Sequence, residues 1–335
     1  MNNRHAWNRT VKGLCVLGIL AGIGLLVSPQ PSFPQPTTAS ALSLQTSPTK
    51  VTFLGVHFLN AQKGWIVGAG GTILHTDDGG ATWKSSPRRT NALLTAVTFA
   101  DAMHGWILGQ NGTVLHTADG GKQWVPQESG TNGTLYAADF LTIDHGWVVG
   151  SRGVILHTED GGESWADQVS GTTADLFGVY FLNEKRGWAV GALGVILSTS
   201  DGGKSWGLQP TNNPATFFGI VFTDNAAGWA VGTQGAMFQT LNGGEVWVDH
   251  TRLCGSPCIK PADLVSIQFS NSLIGRIVGE RGTILETQDA GFTWQEIESL
   301  NSETLYAQSF PDLSPGFAVG DHGTIIHFES SPSHP

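Results

Sequence analysis

The chain has 335 residues, 40% hydrophobic and only 13% charged, with 45 Gly and 12 Trp, enough for one large all-β unit or two ordinary domains. Its 17 Lys+Arg against 27 Asp+Glu give a net charge of −10. With no long basic stripe to offset that balance, a nucleic-acid partner is disfavoured, because phosphate binding needs a net basic surface or such a stripe.

The chain opens on Arg4, Arg9 and Lys12 ahead of an apolar run from Leu14 to Val27. The run is shorter than the ~20 residues of a membrane-spanning helix but fits the apolar core of an export signal. Pro29, Pro31, Pro34 and Pro36 follow, and then Ala39-Ser40-Ala41, a small-x-small cleavage site. The expectation is that 1–41 is a signal peptide with a Pro-rich segment and that the mature chain begins at Leu42, with 14 basic against 27 acidic residues. The alternative is an uncut signal anchor on a stiff proline linker. Cys15 lies inside the apolar run without the flanking pattern of a lipoprotein cysteine.

From there the chain is repetitive. Turns of the form Thr-x-Asp-x-Gly-x-x-Trp, known as Asp-boxes, span Thr76 to Trp83, Thr117 to Trp124, Thr158 to Trp165 and Thr199 to Trp206, each 41 residues after the last. Thr240 to Trp247 carries Asn242 in place of the Asp, and Thr287 to Trp294 comes 47 residues later, after a six-residue insertion with Cys254 and Cys258. A second marker, Gly-Trp-x-x-Gly, precedes each box at Trp65, Trp106, Trp147, Trp188 and Trp229, with Arg276 and Phe317 replacing Trp in the sixth and seventh units. Eleven of the twelve tryptophans fall on these markers, so Trp here builds the repeat.

Within one unit, Phe177 to Phe181 reads as strand A, Gly187 to Val190 as B, Val195 to Thr199 as C and Ser205 to Leu208 as D. Four short strands at a period of about 40–50 residues define a propeller blade. The fold class is therefore all-β: a seven-bladed β-propeller of four-stranded antiparallel blades over 42–335. The seventh unit ends at His327-Phe328-Glu329-Ser330 without a strand D, while Leu42 to Thr49 aligns without gaps with Trp124 to Thr131. The N-terminal strand is expected to complete the last blade and close the ring.

The combined markers, as in Gly153 to Trp165, resemble the photosystem II stability and assembly factor family over essentially all of 42–335. The resemblance implies a seven-bladed propeller of the thylakoid lumen, or of the periplasm in a bacterial relative. It also implies a role without catalysis or cofactor: binding a newly made membrane protein subunit, that of the photosystem II reaction centre in a photosynthetic organism. The arginine-rich patch of those members is sparse here.

The runner-up is a secreted carbohydrate-binding or glycosidase-like propeller, since sialidases also carry Asp-boxes. A sialidase needs an arginine triad, a Tyr nucleophile with a Glu partner and an Asp acid. Residues 42–335 hold seven arginines, no Arg-Ile-Pro segment and three tyrosines, of which Tyr136 and Tyr306 share the strand A position of Leu54 and Phe177 and read as packing residues. His75, His116 and His157 repeat on strand C of successive blades, so they spread around a ring too widely for metal bonds of ~2 Å, and no metal is expected. Cys254 and Cys258 lack a second Cys or His pair nearby, and in an oxidising compartment they read as a disulfide closing their loop.

What remains is surface. The B-to-C tips, Gly70, Asn111, Arg152, Leu193, Gln234, Arg281 and His322, differ from blade to blade while the blade cores do not. Arg88 and Arg89 lie in a D-to-A loop on the same face. Arg88, Arg89, Asn111, Arg152, Arg281 and His322 are the candidate partner-binding residues, with the tips free to vary at no expense to the fold.

Overall fold

The computed structural model describes residues 41–251, 262–310 and 316–329. They form seven four-stranded antiparallel sheets, six of them in simple A-B-C-D order. Among the described residues there is no α-helix, only short 3-10 turns at the blade tips, and no helix long and apolar enough to cross a membrane. The A strands, such as Phe53–Phe58, Leu94–Phe99 and Leu135–Phe140, touch one another in succession around a closed ring, with the last, Leu305–Ser309, against the first.

The seventh sheet contains the N-terminal strand Leu42–Leu44, paired with Ile325–Phe328 in the register Leu42↔Phe328, Ser43↔His327, Leu44↔Ile326. The alignment with Trp124 to Thr131 continues past the strand: Ser47 Oγ donates to the Thr49 carbonyl at 2.8 Å, as Ser129 Oγ does to Thr131 at 3.3 Å. The closure removes an unpaired sheet edge.

The Asp-box is a hydrogen-bonded knot at the C-to-D turn. In blade 1 the Thr76 hydroxyl donates to Asp78 Oδ1 at 2.8 Å and accepts from the Gly80 N–H at 2.9 Å, while Asp78 Oδ1 also accepts the Thr82 N–H at 2.9 Å. The Thr82 hydroxyl and backbone bonds, with that of Thr76, hold the Asp78 carboxyl down at about 2. In blade 5, Asn242 supplies the same acceptor to Thr240 at 2.9 Å and to the Val246 N–H at 3.0 Å, which explains why an uncharged amide is tolerated there.

Blades are joined by aromatic stacking. The marker Trp of each early blade lies flat on the Phe that ends strand A of the next: Trp65 on Phe99 at 4.0 Å, Trp106 on Phe140 and Trp147 on Phe181 at 3.6 Å, Trp188 on Phe222 at 3.7 Å. The box Trp of that next blade meets the same Phe edge-on, as Trp124 does Phe99 at 5.8 Å. Phe317 stacks on Phe58 at 4.2 Å and so closes the ring with the same contact. The marker Gly is required because the Phe lies across it: a Cβ on Gly64 would come within 2.7 Å of the Phe58 ring.

Blade 6 makes this joint with different chemistry. Arg276 replaces the marker Trp, and its guanidinium lies 4.2 Å from the Phe310 ring centre and 3.6 Å from that of Phe328. Directly opposite across the strands stands Glu286, where blades 2 and 3 have a His stacked on the Trp, and it accepts from Arg276 Nε at 2.8 Å and from Nη2. The two substitutions form one compensated unit, a largely buried ion pair in place of a stacked Trp–His pair.

Deleting residues 42–49 should lower the melting temperature by many degrees, read by calorimetry, since it uncovers the Ile325–Phe328 edge and the Phe328 side chain. Glu286→Ala should cost about 3–5 kcal/mol in a denaturant titration, because it leaves a buried cation without its counter-charge. The double change Arg276→Trp with Glu286→His, which restores the pattern of the early blades, should recover most of that loss.

Candidate functional site: the loop face

Two faces are available. The Asp-box turns and A-to-B turns share one, as the Gly79 N–H bond to the Gln62 carbonyl at 2.9 Å shows. The B-to-C tips and D-to-A loops share the other, joined by bonds such as Gly71 N–H to Ala92 O at 2.8 Å. All six candidate residues are exposed on this second face, the loop face.

Arg88 and Arg89 lie in the loop after strand D of blade 1. The Arg88 stem runs beside Gly71 and its Nη1 donates to Asn91 Oδ1 at 3.4 Å. Asn111 and Arg152 are the tips of blades 2 and 3, and Arg281 and His322 those of blades 6 and 7, so the six residues fall on five consecutive blades around the ring. The arc is not purely basic. Arg281 is 3.5 Å from Glu280, and the Arg152 backbone N–H donates to Asp175 at 2.7 Å. His322 Nδ1 is 2.8 Å from Glu303, whose hydrogen bond and charge raise the imidazole above its usual range. Cys254 and Cys258 lie outside the described residues.

The expectation that tips vary at no expense is corrected. Asn111, Arg152, Leu193, Gln234, Arg281 and His322 all have φ between 53° and 59°, in the left-handed region that L-residues with a Cβ resist by ~1–2 kcal/mol. Only blade 1 has the residue this geometry favours, Gly70. Six tips therefore carry side chains where glycine would be less strained.

Sequence reasoning also missed an aromatic arc. Tyr136, Phe177 and Phe218, at the second position of strand A in blades 3 to 5, are only half-buried and touch ring to ring at 4.9 and 5.5 Å. Leu193, the blade 4 tip on the same side, is 77% exposed. The loop face thus carries the candidate polar tips over blades 6, 7, 2 and 3 and a run of half-buried aromatics over blades 3 to 5. The signal was visible as three successive aromatics at one repeat position, but periodicity alone does not separate an aromatic that packs in a core from one that lines a rim.

One carboxylate has chemistry unlike the rest. Burial raises Asp139, on strand A of blade 3, to about 6, although the Phe181 N–H donates to it at 2.6 Å. Strand A has a free inner edge, and side chains at this position bridge it to the next blade: Gln268 accepts the Phe310 N–H at 3.2 Å and Ser309 the Phe58 N–H at 2.8 Å. Asp139 does the same job with an ionisable group. A raised carboxyl pKa penalises folding above the folded value, and the penalty disappears as pH falls to the unfolded value near 4. Asp139→Asn should therefore raise stability by up to about 2–3 kcal/mol at pH 8 and by little at pH 4, measured as melting temperature across that range.

Fold and loop face together define a seven-bladed Asp-box propeller with a broad, mixed polar and aromatic surface at one end. The chain belongs to the photosynthesis system II assembly factor YCF48 family, whose pattern matches residues 35–128, 87–170, 126–214, 167–257 and 208–303. Among solved structures it is similar to YCF48 bound to D1 peptide, at 21% identity and a TM-score of 0.73, over 88% of this chain and 99% of that one. It is similar to YCF48 from Cyanidioschyzon merolae at 21% identity and a TM-score of 0.72, over 87% and 99%. Virginiamycin B lyase from Staphylococcus aureus, at 13% identity and a TM-score of 0.73 over 87% and 100%, shares the fold as well. No curated protein sequence matches the chain significantly. At these identities the structural likenesses establish the fold, and the family match carries the assignment beyond it.

Proposed function

We propose that this protein is a non-catalytic assembly factor that grips a segment of a newly made membrane protein, the D1-type subunit of the photosystem II reaction centre, on its loop face. The supporting observation is the set of six left-handed, non-glycine tips, because local strain retained at exposed positions points to selection for something other than stability. The family match and the D1 peptide in a structural relative's complex support the choice of partner. The polar arc would take the carboxylates of such a segment, arginine being suited to bind them through two N–H groups at once. The aromatic arc would take its apolar residues.

In this reading residues 1–41 direct export to the thylakoid lumen or periplasm and are cut after Ala41, and Cys254 and Cys258 form a disulfide in that oxidising compartment. An intact mass that begins at Leu42 and is 2 Da below the reduced value would agree with both.

The test uses a D1 peptide titrated against wild type and against a variant with Arg88→Ala, Arg89→Ala, Arg152→Gly and Arg281→Gly. Affinity should fall at least tenfold at low salt. Thermal stability should hold or rise, since the two glycines relieve left-handed strain. Equal affinity would remove these arginines from the partner site, and a large loss of stability would make them structural.

A further inference from the structure

Three positions on the Asp-box side of each blade are neighbours by register. In blade 3 the strands pair as Gly146↔Thr158 and Trp147↔His157, so one step further along the hairpin His145 stands opposite Glu159. Residues two apart on a strand share a face, which puts His145, His157 and Glu159 together. One ligand atom from each lies within 4.8 Å of the others.

The other blades serve as internal comparisons. Blade 1 has Lys63, His75 and Asp77 at these places, blade 4 has Arg186, Ser198 and Ser200, and blade 2 has His104 and His116 but Ala118 where the carboxylate would be. In blade 2, moreover, the His104 ring is tied to Asp101, with Nδ1 at 3.0 Å from both carboxylate oxygens. The equivalent of Asp101 in blade 3 is Thr142, whose hydroxyl accepts the His145 backbone N–H at 3.0 Å and leaves the imidazole free. Blade 3 alone unites two imidazoles and a carboxylate without a competing anchor.

His157 is prepared for ligation in two further respects. Its ring stacks on Trp147 at 4.6 Å with an interplanar angle of 20°, which fixes its orientation. Its Nε2 is buried and has no hydrogen-bond partner, an arrangement that is costly for a polar atom and that calls for a missing one.

We propose that His145, His157 and Glu159 bind one divalent transition-metal ion of the zinc type on the Asp-box side of blade 3. Two imidazoles and a carboxylate suit zinc, nickel or copper better than calcium or magnesium, which prefer all-oxygen sites. Bonds of ~2.0–2.1 Å place tetrahedral ligands about 3.3 Å apart. The three donors must therefore close in by about 1.5 Å, and the exposed Glu159 and half-buried His145 have the rotamer freedom to do so. Three protein ligands leave a fourth position for water or for a side chain of a bound protein. The site lies opposite the loop face and is independent of the partner proposed there.

The test takes tag-free, chelator-stripped protein and titrates it with zinc chloride by calorimetry, with cobalt(II) absorption as a second readout of a tetrahedral nitrogen–oxygen site. Wild type should bind one equivalent and melt at a higher temperature with metal than without. His145→Ala and Glu159→Gln, both at positions where the fold does not depend on the side chain, should each weaken binding at least tenfold and abolish the metal-dependent rise. His104→Ala in blade 2 should change neither. Failure of wild type to bind at tens of micromolar zinc, or binding unaffected by His145→Ala and Glu159→Gln, would overturn the assignment.

Discussion

Everything in this molecule depends on a stack of rings at the joint between blades. A marker Trp lies flat on the Phe of the next blade, and that Phe receives the edge of its own blade's box Trp, as in Trp65, Phe99 and Trp124. The offset and edge-on geometries favoured by aromatic quadrupoles are both satisfied. Truncating one such buried Trp costs about 3–5 kcal/mol, a large share of the roughly 5–15 kcal/mol by which domains are stable. The first glycine of the marker and the second of the box are explained by the same joint in the early blades: the Phe58 ring occupies the space a Cβ on Gly64 would need, and the Trp65 indole the space beside Gly121. Blade 6 shows what the joint requires in general. A flat cation over two Phe rings replaces the Trp, provided that Glu286 arrives with Arg276.

Because stability is concentrated in these joints and in the hydrogen-bonded boxes, the opposite ends of the blades are released from structural duty. There the backbone turns through a left-handed residue in every blade, and in six of seven that residue has a side chain. Strain of this kind persists where a surrounding structure over-determines it. The tight pairing on either side of each tip does so, as when Arg152 donates its backbone N–H to Asp175 of the next blade and Gln234 to Asp263 at 2.9 Å. A rigid ring with variable, strained tips is well suited to recognition, because its surface is ordered before the partner arrives and little entropy is lost on binding.

Repeat arithmetic alone determined the seven blades, their four strands, the Asp-box turns and the N-terminal closing strand. It could do so because a propeller is quasi-periodic: each blade meets the same neighbours, so the same residues recur at the same spacing. The sequence likewise placed all six candidate residues on one face, since a residue's position in the repeat fixes which end of its blade it occupies.

What the tertiary structure alone decided is pairing between residues and the conformation at the tips. Arg276 and Glu286 looked like two unrelated departures from the repeat until the strand register set them opposite each other. His157 looked like one of a ring of separated histidines, and its relevant neighbours proved to be His145 and Glu159 on its own blade. The left-handed tips, the ring contacts among Tyr136, Phe177 and Phe218, and the burial that raises Asp139 depend on backbone angles and on solvent access around a closed ring. A linear pattern of residue types records where a side chain stands in the repeat, but not what lies across the strand or across the joint from it, and these features are set by that second kind of neighbour.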